Sequence, residues 1–525
     1  MLLAGIAVAA PPKPQPVVAF LPPSSTDASL QQLGLLMVAR ASELTEETKK
    51  VNELHIKQVV RAVAEEGFAE DLRQPANADA LRGILGADRA VSFSLEVVGE
   101  NYELAGVTVD GKKPKTFNAK LPKTWSGALE QGSVALAKAI LPGIALPAKS
   151  AAQPSSTNED ALKALGQCYP VVLRQPLSPD TPALVETVEL TRAAEACAKA
   201  VELDPKLRFA LASGALAQAI LGGDGVAAKA LAGLGESDDM LETYTLARFW
   251  LLTRYQSNEA GVAFLTDIVK KRPGELIARS YLGDTLFALG NWAEAEKVWR
   301  AYSEQVPNSA YAYGRVSKAL ARQNKHDEAL VAARKGFALS ATSTEARLEL
   351  GSRLIDAGKV QEAQDVLSPL AQLNPARGEH LLRLGWAHWL EGELDPAQAY
   401  FQRALDVSNA PGEWRTRGRA AYDLALVAAK QNRADAAKAA LKISMNSGLK
   451  LKDVDASLTA FVRDIERADV GASASSASAK DGGTGGARAS LVPRESSLFP
   501  VDSYGELDPK AKKPAAPDGL VLYRF

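Results

Sequence analysis

The sequence is poor in the residues that carry chemistry. It has four histidines, two cysteines and four methionines in 525 residues. The histidines are His55, His326, His380 and His388, and the nearest pair stands eight apart. No HExxH or comparable ligand spacing results, so metal chemistry has no signal. His380 and His388 share one helical stretch, where a surface or packing role is expected. The cysteines, Cys168 and Cys197, form no CxxC. A GGTGG run at 482–486 lacks the Lys-Ser/Thr of a phosphate loop. No GxSxG elbow occurs. These absences point to a protein that is not an enzyme and needs no cofactor or metal.

Charge of one sign is also missing. Lys and Arg total 61, Asp and Glu 62, for a net charge of -1. The basic excess of a nucleic-acid binder is absent. No apolar run reaches the ~18–20 residues of a membrane-spanning helix. Aromatics are only 6% of the chain, while hydrophobic residues make up 46%. That fraction excludes a wholly disordered protein. Alanine dominates it, which favours closely packed helices over sheets. The length suits two or three domains, since single cores stop growing near ~250–300 residues.

The chain opens MLLAGIAVAAPPKP. A short apolar run ending in Ala7-Val8-Ala9, then prolines, has the form of a secretory h-region with its cleavage site. The charged n-region is missing. Residues 1–10 are read as a signal-peptide remnant and the protein as exported. The alternative is a frayed apolar N-terminus. No Cys near the cleavage point supports a lipid anchor.

Residues 15–145 predict an α+β domain. Val17 to Leu21 is an apolar run bounded by prolines, hence a buried strand. Residues 28–43 and 49–66 carry helical spacing, the second through Val51, Leu54, Val59, Val63 and Phe68. A short helix follows, with Asn77 as expected N-cap and Gly86 as its stop. Then Ala90 to Val98 and Tyr102 to Val109 alternate as strands, with Val91, Phe93, Leu95 and Val97 on one face. Asp110-Gly111 predicts a tight turn before a third strand, TFNAKL. Trp125 to Leu141 predicts a closing helix. The order β-α-α-α-β-β-β-α argues for a two-layer sandwich. VVAFLPP (17–23) and LRGILGADRAVSFSLEV (81–97) resemble the amino-terminal domain of the TolB family of envelope proteins. The resemblance covers about 125 residues and carries no catalytic residue across. It implies a periplasmic or outer-membrane assembly setting. The family's propeller domain has no counterpart here.

Residues 146–157 read as a linker, and 158–468 as an array of repeats. Gly283, Ser317, Gly351 and Gly385 recur every 34 residues. So do Ala295, Ala329, Ala363 and Ala397, and the large apolar Leu282, Val316, Leu350 and Leu384. Pro307, Ala341, Pro375 and Asn409 follow at the helix-ending position. Small residues at this period let two antiparallel helices approach closely. The region is identified as a member of the tetratricopeptide-repeat family, and an all-α superhelix is the implied fold. Looser units are read at 159–205, 206–235, 238–272 and 412–446. The first carries a loop at Arg174 to Pro182. A closing helix at 453–467 bears Leu458, Phe461, Val462 and Ile465 on one stripe. Cys168 and Cys197 fall on the paired helices of the first unit. Either a disulfide or two small buried thiols fits that placement.

By analogy with the family, inward positions form the candidate partner groove. They are Tyr281 and Asp284, then Tyr311, Arg315, Lys318 and Arg322. Glu345, Glu349, Ser352 and Asp356 follow, then Glu379, Arg383, Trp386 and Trp389. Trp and Arg are common interface anchors. Trp386 is expected in the groove, while Trp389 is the indole more suited to the inter-repeat core. Ser280, Gly314, Leu348 and Leu382 stand where chaperone-binding relatives carry a clamp lysine, so that partner class is not supported. The tail, 469–525, opens as a flexible linker. It ends in two apolar segments, LFPVDSY (498–504) and LVLYRF (520–525), of the kind that dock in extended form. The alternative is a disordered tail.

The expected protein is a non-catalytic scaffold holding other proteins, in particular subunits of an envelope machine for secretion or motility. It has no nucleic-acid partner and no transmembrane segment. The alternative is a cytoplasmic regulatory adaptor with an N-terminal sensing domain. A glycan- or peptide-binding enzyme subunit ranks last.

Overall fold

The computed structural model describes residues 15–66, 68, 71–148, 155–174, 187–232, 242–372, 377–409, 414–447 and 457–465. The readings for the signal remnant, most of the 174–182 loop, Pro375 and the tail from 469 lie outside these residues. Contacts divide the chain into two units. One holds the described residues of Met1–Lys325 with Val331–Ala346. The other holds His326–Leu330 with those of Arg347–Pro500.

The first unit opens on a five-stranded sheet in the order β2-β1-β3-β4-β5. Strand β1 (Val17–Phe20) runs parallel to both neighbours, β2 (Asn52–Leu54) and β3 (Arg89–Val98). All four residues of β1 are buried. A strand covered on both faces needs such a continuous apolar run. Strands β3, β4 (Asn101–Val109) and β5 (Lys115–Pro122) form an antiparallel meander. Helix α1 (Ala28–Glu46) starts at Asp27, whose carboxylate accepts the Ser29 and Leu30 amides. Helix α4 (Trp125–Ile140) closes the domain.

Two local expectations need correction. The helix read over 49–66 splits: Asn52–Leu54 adds a strand to the sheet, and α2 begins only at Ile56 (Ile56–Glu66). Short apolar stretches suit either period, and pairing with β1 decides. Gln58 Oε1 accepts the His55 amide at 3.2 Å and His55 Nδ1 accepts the Lys57 amide at 3.1 Å, which restarts the helix. Helix α3 (Pro75–Leu85) starts at a proline rather than after Asn77. Proline's fixed φ is already helical, and its missing N–H costs nothing in the first turn. Gly86 ends α3 at φ 72°. Two residues on, Asp88 Oδ2 accepts the Val17 amide at 2.8 Å. The Leu-Gly-Ala-Asp segment thus stops a helix and anchors the first strand.

Helices then run in pairs. In chain order they are α5 (Glu159–Leu173), α6 (Thr187–Leu203), α7 (Arg208–Leu221), α8 (Asp224–Ala232), α9 (Glu242–Tyr255), α10 (Asn258–Lys271), α11 (Leu276–Ala288), α12 (Trp292–Gln305) and α13 (Ala310–Arg322). Further on come α14 (His326–Leu339), α15 (Thr344–Asp356), α16 (Val360–Gln372), α17 (Gly378–Leu390), α18 (Leu394–Val407), α19 (Trp414–Lys430) and α20 (Ala434–Asn446). An α+β domain therefore leads into an all-α repeat array, as the residue spacing predicts.

The 34-residue glycines explain the pairing. A Cβ on Gly283 would lie 2.5 Å from the Trp299 indole. One on Gly351 would lie 2.4 Å from Leu367, and one on Gly385 2.4 Å from Phe401. Each glycine leaves room for a large side chain of the next helix. Where Ser317 replaces glycine, the register places the small Ala333 opposite, and both are buried. Ala295, Ala329, Ala363 and Ala397 are all fully buried. In the second unit Leu381, Trp386, Phe401, Leu424, Leu441 and Leu458 share one core. Phe461, Val462 and Ile465 pack against it, so the stripe read for the closing helix faces inward.

Candidate functional site

Helix α2 is sharply two-sided. Ile56 and Val59 are buried, while Lys57, Gln58, Arg61 and Glu66 are polar. In a surface helix those polar groups would face water. Here they meet the repeats. Gln58 Nε2 donates to Tyr302 Oη at 3.3 Å and to Ser280 Oγ at 3.4 Å. Arg61 Nη1 pairs with Asp284 Oδ2 at 3.1 Å. Asp284 Oδ1 also faces Arg315 Nε at 3.6 Å. Both guanidiniums sit over Tyr311, Arg61 at 5.4 Å and Arg315 at 4.9 Å from the ring centre. Glu66 Oε1 accepts the Ser343 hydroxyl at 2.5 Å, and its other oxygen accepts the Thr344 amide. Thr344 opens α15, so the carboxylate sits where a helix dipole favours it.

The candidate groove over 276–346 is therefore already engaged by the chain's own N-terminal domain. This corrects the expectation of an open hollow there. Asp284 and Arg315 are buried beside α2, and Tyr311 is half-buried beneath Arg61. Tyr281 is only 1% exposed and turns toward Phe249, 6.5 Å between ring centres. Lys318 and Arg322 keep partial exposure. The physical cause is that inward polar side chains, once covered, need polar partners. Helix α2 supplies them.

Three further contacts seat the domain. Lys57 Nζ donates to the carbonyls of Val172 and Leu173 at 3.3 and 3.1 Å, at the C-terminal end of α5. A cation is favoured there. Glu159, at the start of α5, accepts the Trp125 and Ser126 amides at 2.6 and 2.9 Å, at the start of α4. Burial works to raise that carboxyl, but the bonds from Ser126 and Trp125 prevail and hold it below its usual range. Gly86 lies against Asn308 and Ser309, where a Cβ would come within 2.5 Å of backbone.

The second unit overturns the reading of one indole. Trp386, expected in the groove, is fully buried. Its Nε1 donates to Asp423 Oδ2 at 2.9 Å, and Phe401 stands edge-on at 5.7 Å. The bare Gly385 brings Phe401 close, and the indole beside it is sealed in. Trp389, read as suited to the core, packs against it and keeps partial exposure, with Lys430 Nζ 4.8 Å from its ring centre. Four of the remaining inward residues, Glu349, Asp356, Arg383 and Glu379, form ion pairs. Arg353 bridges Glu349 at 3.1 Å and Asp356 at 2.8 Å, and Arg383 meets Glu379 at 3.2 Å.

Asp423 escaped the sequence reading. Burial pushes its carboxyl up to about 7, against the pull of Arg419 and the Trp386 N–H. Its only sequence signal is an acid inside the apolar run Ala420 to Ala429. His380 is buried too, and burial pushes its imidazole down to about 4. Cys168 and Cys197 are joined as a disulfide between α5 and α6, with Cα atoms 5.4 Å apart. Among the described residues no helix is long and apolar enough to cross a membrane.

A family model described as tetratricopeptide repeat matches residues 281–336 and 348–413. The chain carries these repeats. Human protein O-mannosyl-transferase TMTC1 is 26% identical over 140 residues, 26% of this chain and 16% of that protein. The mouse protein is 24% identical over 143 residues, 26% of this chain and 15% of its own length. The chain thus spans less than a fifth of either curated relative. Among solved structures, PilW, titled a widely conserved type IV pilus biogenesis factor, is similar at 17% identity. That match covers 44% of this chain and all of PilW, with a TM-score of 0.35. A tetratricopeptide repeat protein from Parabacteroides merdae is similar at 12% identity, covering 58% of this chain and 99% of that one, TM-score 0.36.

Proposed function

We propose that this protein is a non-catalytic adaptor that holds other proteins in assembling or stabilising a cell-envelope machine. The supporting observation is α2 on the repeats. The face formed by α11, α12, α13 and the start of α15 accepts a helix through side-chain hydrogen bonds and an ion pair. A face built this way suits polypeptide recognition. No reacting group is required of it.

The envelope setting rests on other features. The Cys168–Cys197 bridge suits an oxidising compartment. The resemblance of residues 17–23 and 81–97 to the TolB family supports the same setting. The rival adaptor, cytoplasmic with a sensing first domain, draws on the same docked α2. Cell fractionation separates the two. Recovery in the periplasmic fraction, with the bridge formed, supports the envelope reading; recovery with cytosolic enzymes and two free thiols sinks it. Photo-crosslinking in cells from Trp389 and Lys318 positions tests the adaptor role. Reproducible adducts with specific proteins are expected, and none above a scrambled-site control would refute it.

A further inference from the structure

We infer that the face over 276–346 is a helix-binding site held shut by α2, and that its occupant when open is a partner helix with α2's polar pattern. This inference rests on the adaptor reading. The site states the chemistry it takes. Asp284 calls for a cation, and Tyr311 offers that cation a ring face. Ser280 and Tyr302 call for an amide donor three residues earlier. The start of α15 calls for a carboxylate five residues later, through Ser343 and Thr344. Gln58, Arg61 and Glu66 answer these in order. An external ligand is therefore an amphipathic helix bearing amide, guanidinium and carboxylate at that spacing.

Two features make the site one that can open. The contact is polar, and the hydrogen bonds donated by the Gln58 carboxamide are long, at 3.3 and 3.4 Å. Hydrogen bonds of this kind are exchanged for equivalent ones at little net cost. Second, Asp284 keeps Arg315 at 3.6 Å when Arg61 leaves, so the buried acid retains a counter-ion. Ile56 and Val59, on the other side of α2, are buried in the closed state. An external helix competes with a tethered one, so the closed state should suppress affinity in proportion to the effective concentration of α2.

The test uses the full chain and a fluorescein-labelled peptide of residues 55–68. Anisotropy titration is run on wild type, on Arg61→Asp, and on the milder pair Gln58→Ala/Arg61→Ala. Loosening α2 should tighten peptide binding by about tenfold or more over wild type. Adding Asp284→Asn to the milder variant should remove most of that gain. Equal binding to wild type and variants would overturn the inference. So would no binding by the milder variant while its circular dichroism and melting profile match wild type. A partner crosslinked elsewhere would leave the adaptor role standing while this site fails. A positive titration with no partner in cells would do the reverse.

Discussion

The close approach at Gly351 yields a prediction whose sign depends on its neighbour. A Cβ there would stand 2.4 Å from Leu367 Cγ and Cδ2, and 2.9 Å from Cδ1. Leu367 is fully buried, so it has little room to retreat. Overpacking of this kind costs ~1–3 kcal/mol. Alanine in a helix interior recovers about 1 kcal/mol over glycine. Gly351→Ala should therefore destabilise the α15–α16 pair by about 1 kcal/mol net. Leu367→Ala alone should cost ~2–5 kcal/mol through its cavity. In that background the clash is gone, and Gly351→Ala should now stabilise by about 1 kcal/mol. The natural Ser317 opposite Ala333 is the precedent. The coupling, about 2 kcal/mol in a double-mutant cycle, separates packing from propensity. Native-state hydrogen exchange at amides of α15 and α16 reports this pair by itself. If Gly351→Ala proves neutral or stabilising in the natural background, the close-approach argument for the repeat fails.

Other outcomes follow from the buried groups. Asp423 sits near 7 when folded and 3.8 is its ordinary value, so its ionisation carries no penalty below about pH 4. The cost grows as pH rises through 7 and is then constant. Asp423→Asn keeps an acceptor for Trp386 and should gain stability only above pH 4, by ~1–2 kcal/mol at pH 8 against a linkage ceiling of about 4; a flat difference from pH 4 to 8 in urea melts would contradict this. The bridge closes a sequence separation of 29 residues. Its loss in Cys197→Ala should cost roughly 3–4 kcal/mol by loop-closure entropy, and unreduced wild type should present no titratable thiol; two thiols and an unchanged melt would refute it. Glu159→Gln should weaken the hold on α4, with faster exchange at the Trp125 and Ser126 amides. Because the bonds hold Glu159 below its usual range, its contribution is present at neutral pH and fades as pH falls through the folded value. Unaltered exchange would show the contact to be incidental.

The repeat array was legible because its signal is local and periodic. Small residues every 34 positions report a contact between helices adjacent in the chain, and the pattern needs no knowledge of anything distant. The meander of β3 to β5 was legible for the same reason. Strand β2 was not, since three residues fit either period until β1 stands beside them. Nor could the residues foretell which indole is buried. Trp386 and Trp389 are the same type three positions apart, and only Phe401, admitted by Gly385, and Asp423 assign the inside to Trp386. The largest difference lies at the groove. Arg61 and Asp284 stand 223 residues apart. A charged residue on a helix looks alike whether it faces water or a buried acid. The sequence by itself determined that paired helices would stack with an inward polar face. What meets that face between 276 and 346 was decided by tertiary structure, because matching a buried carboxylate to a distant guanidinium is a fact of position and not of composition.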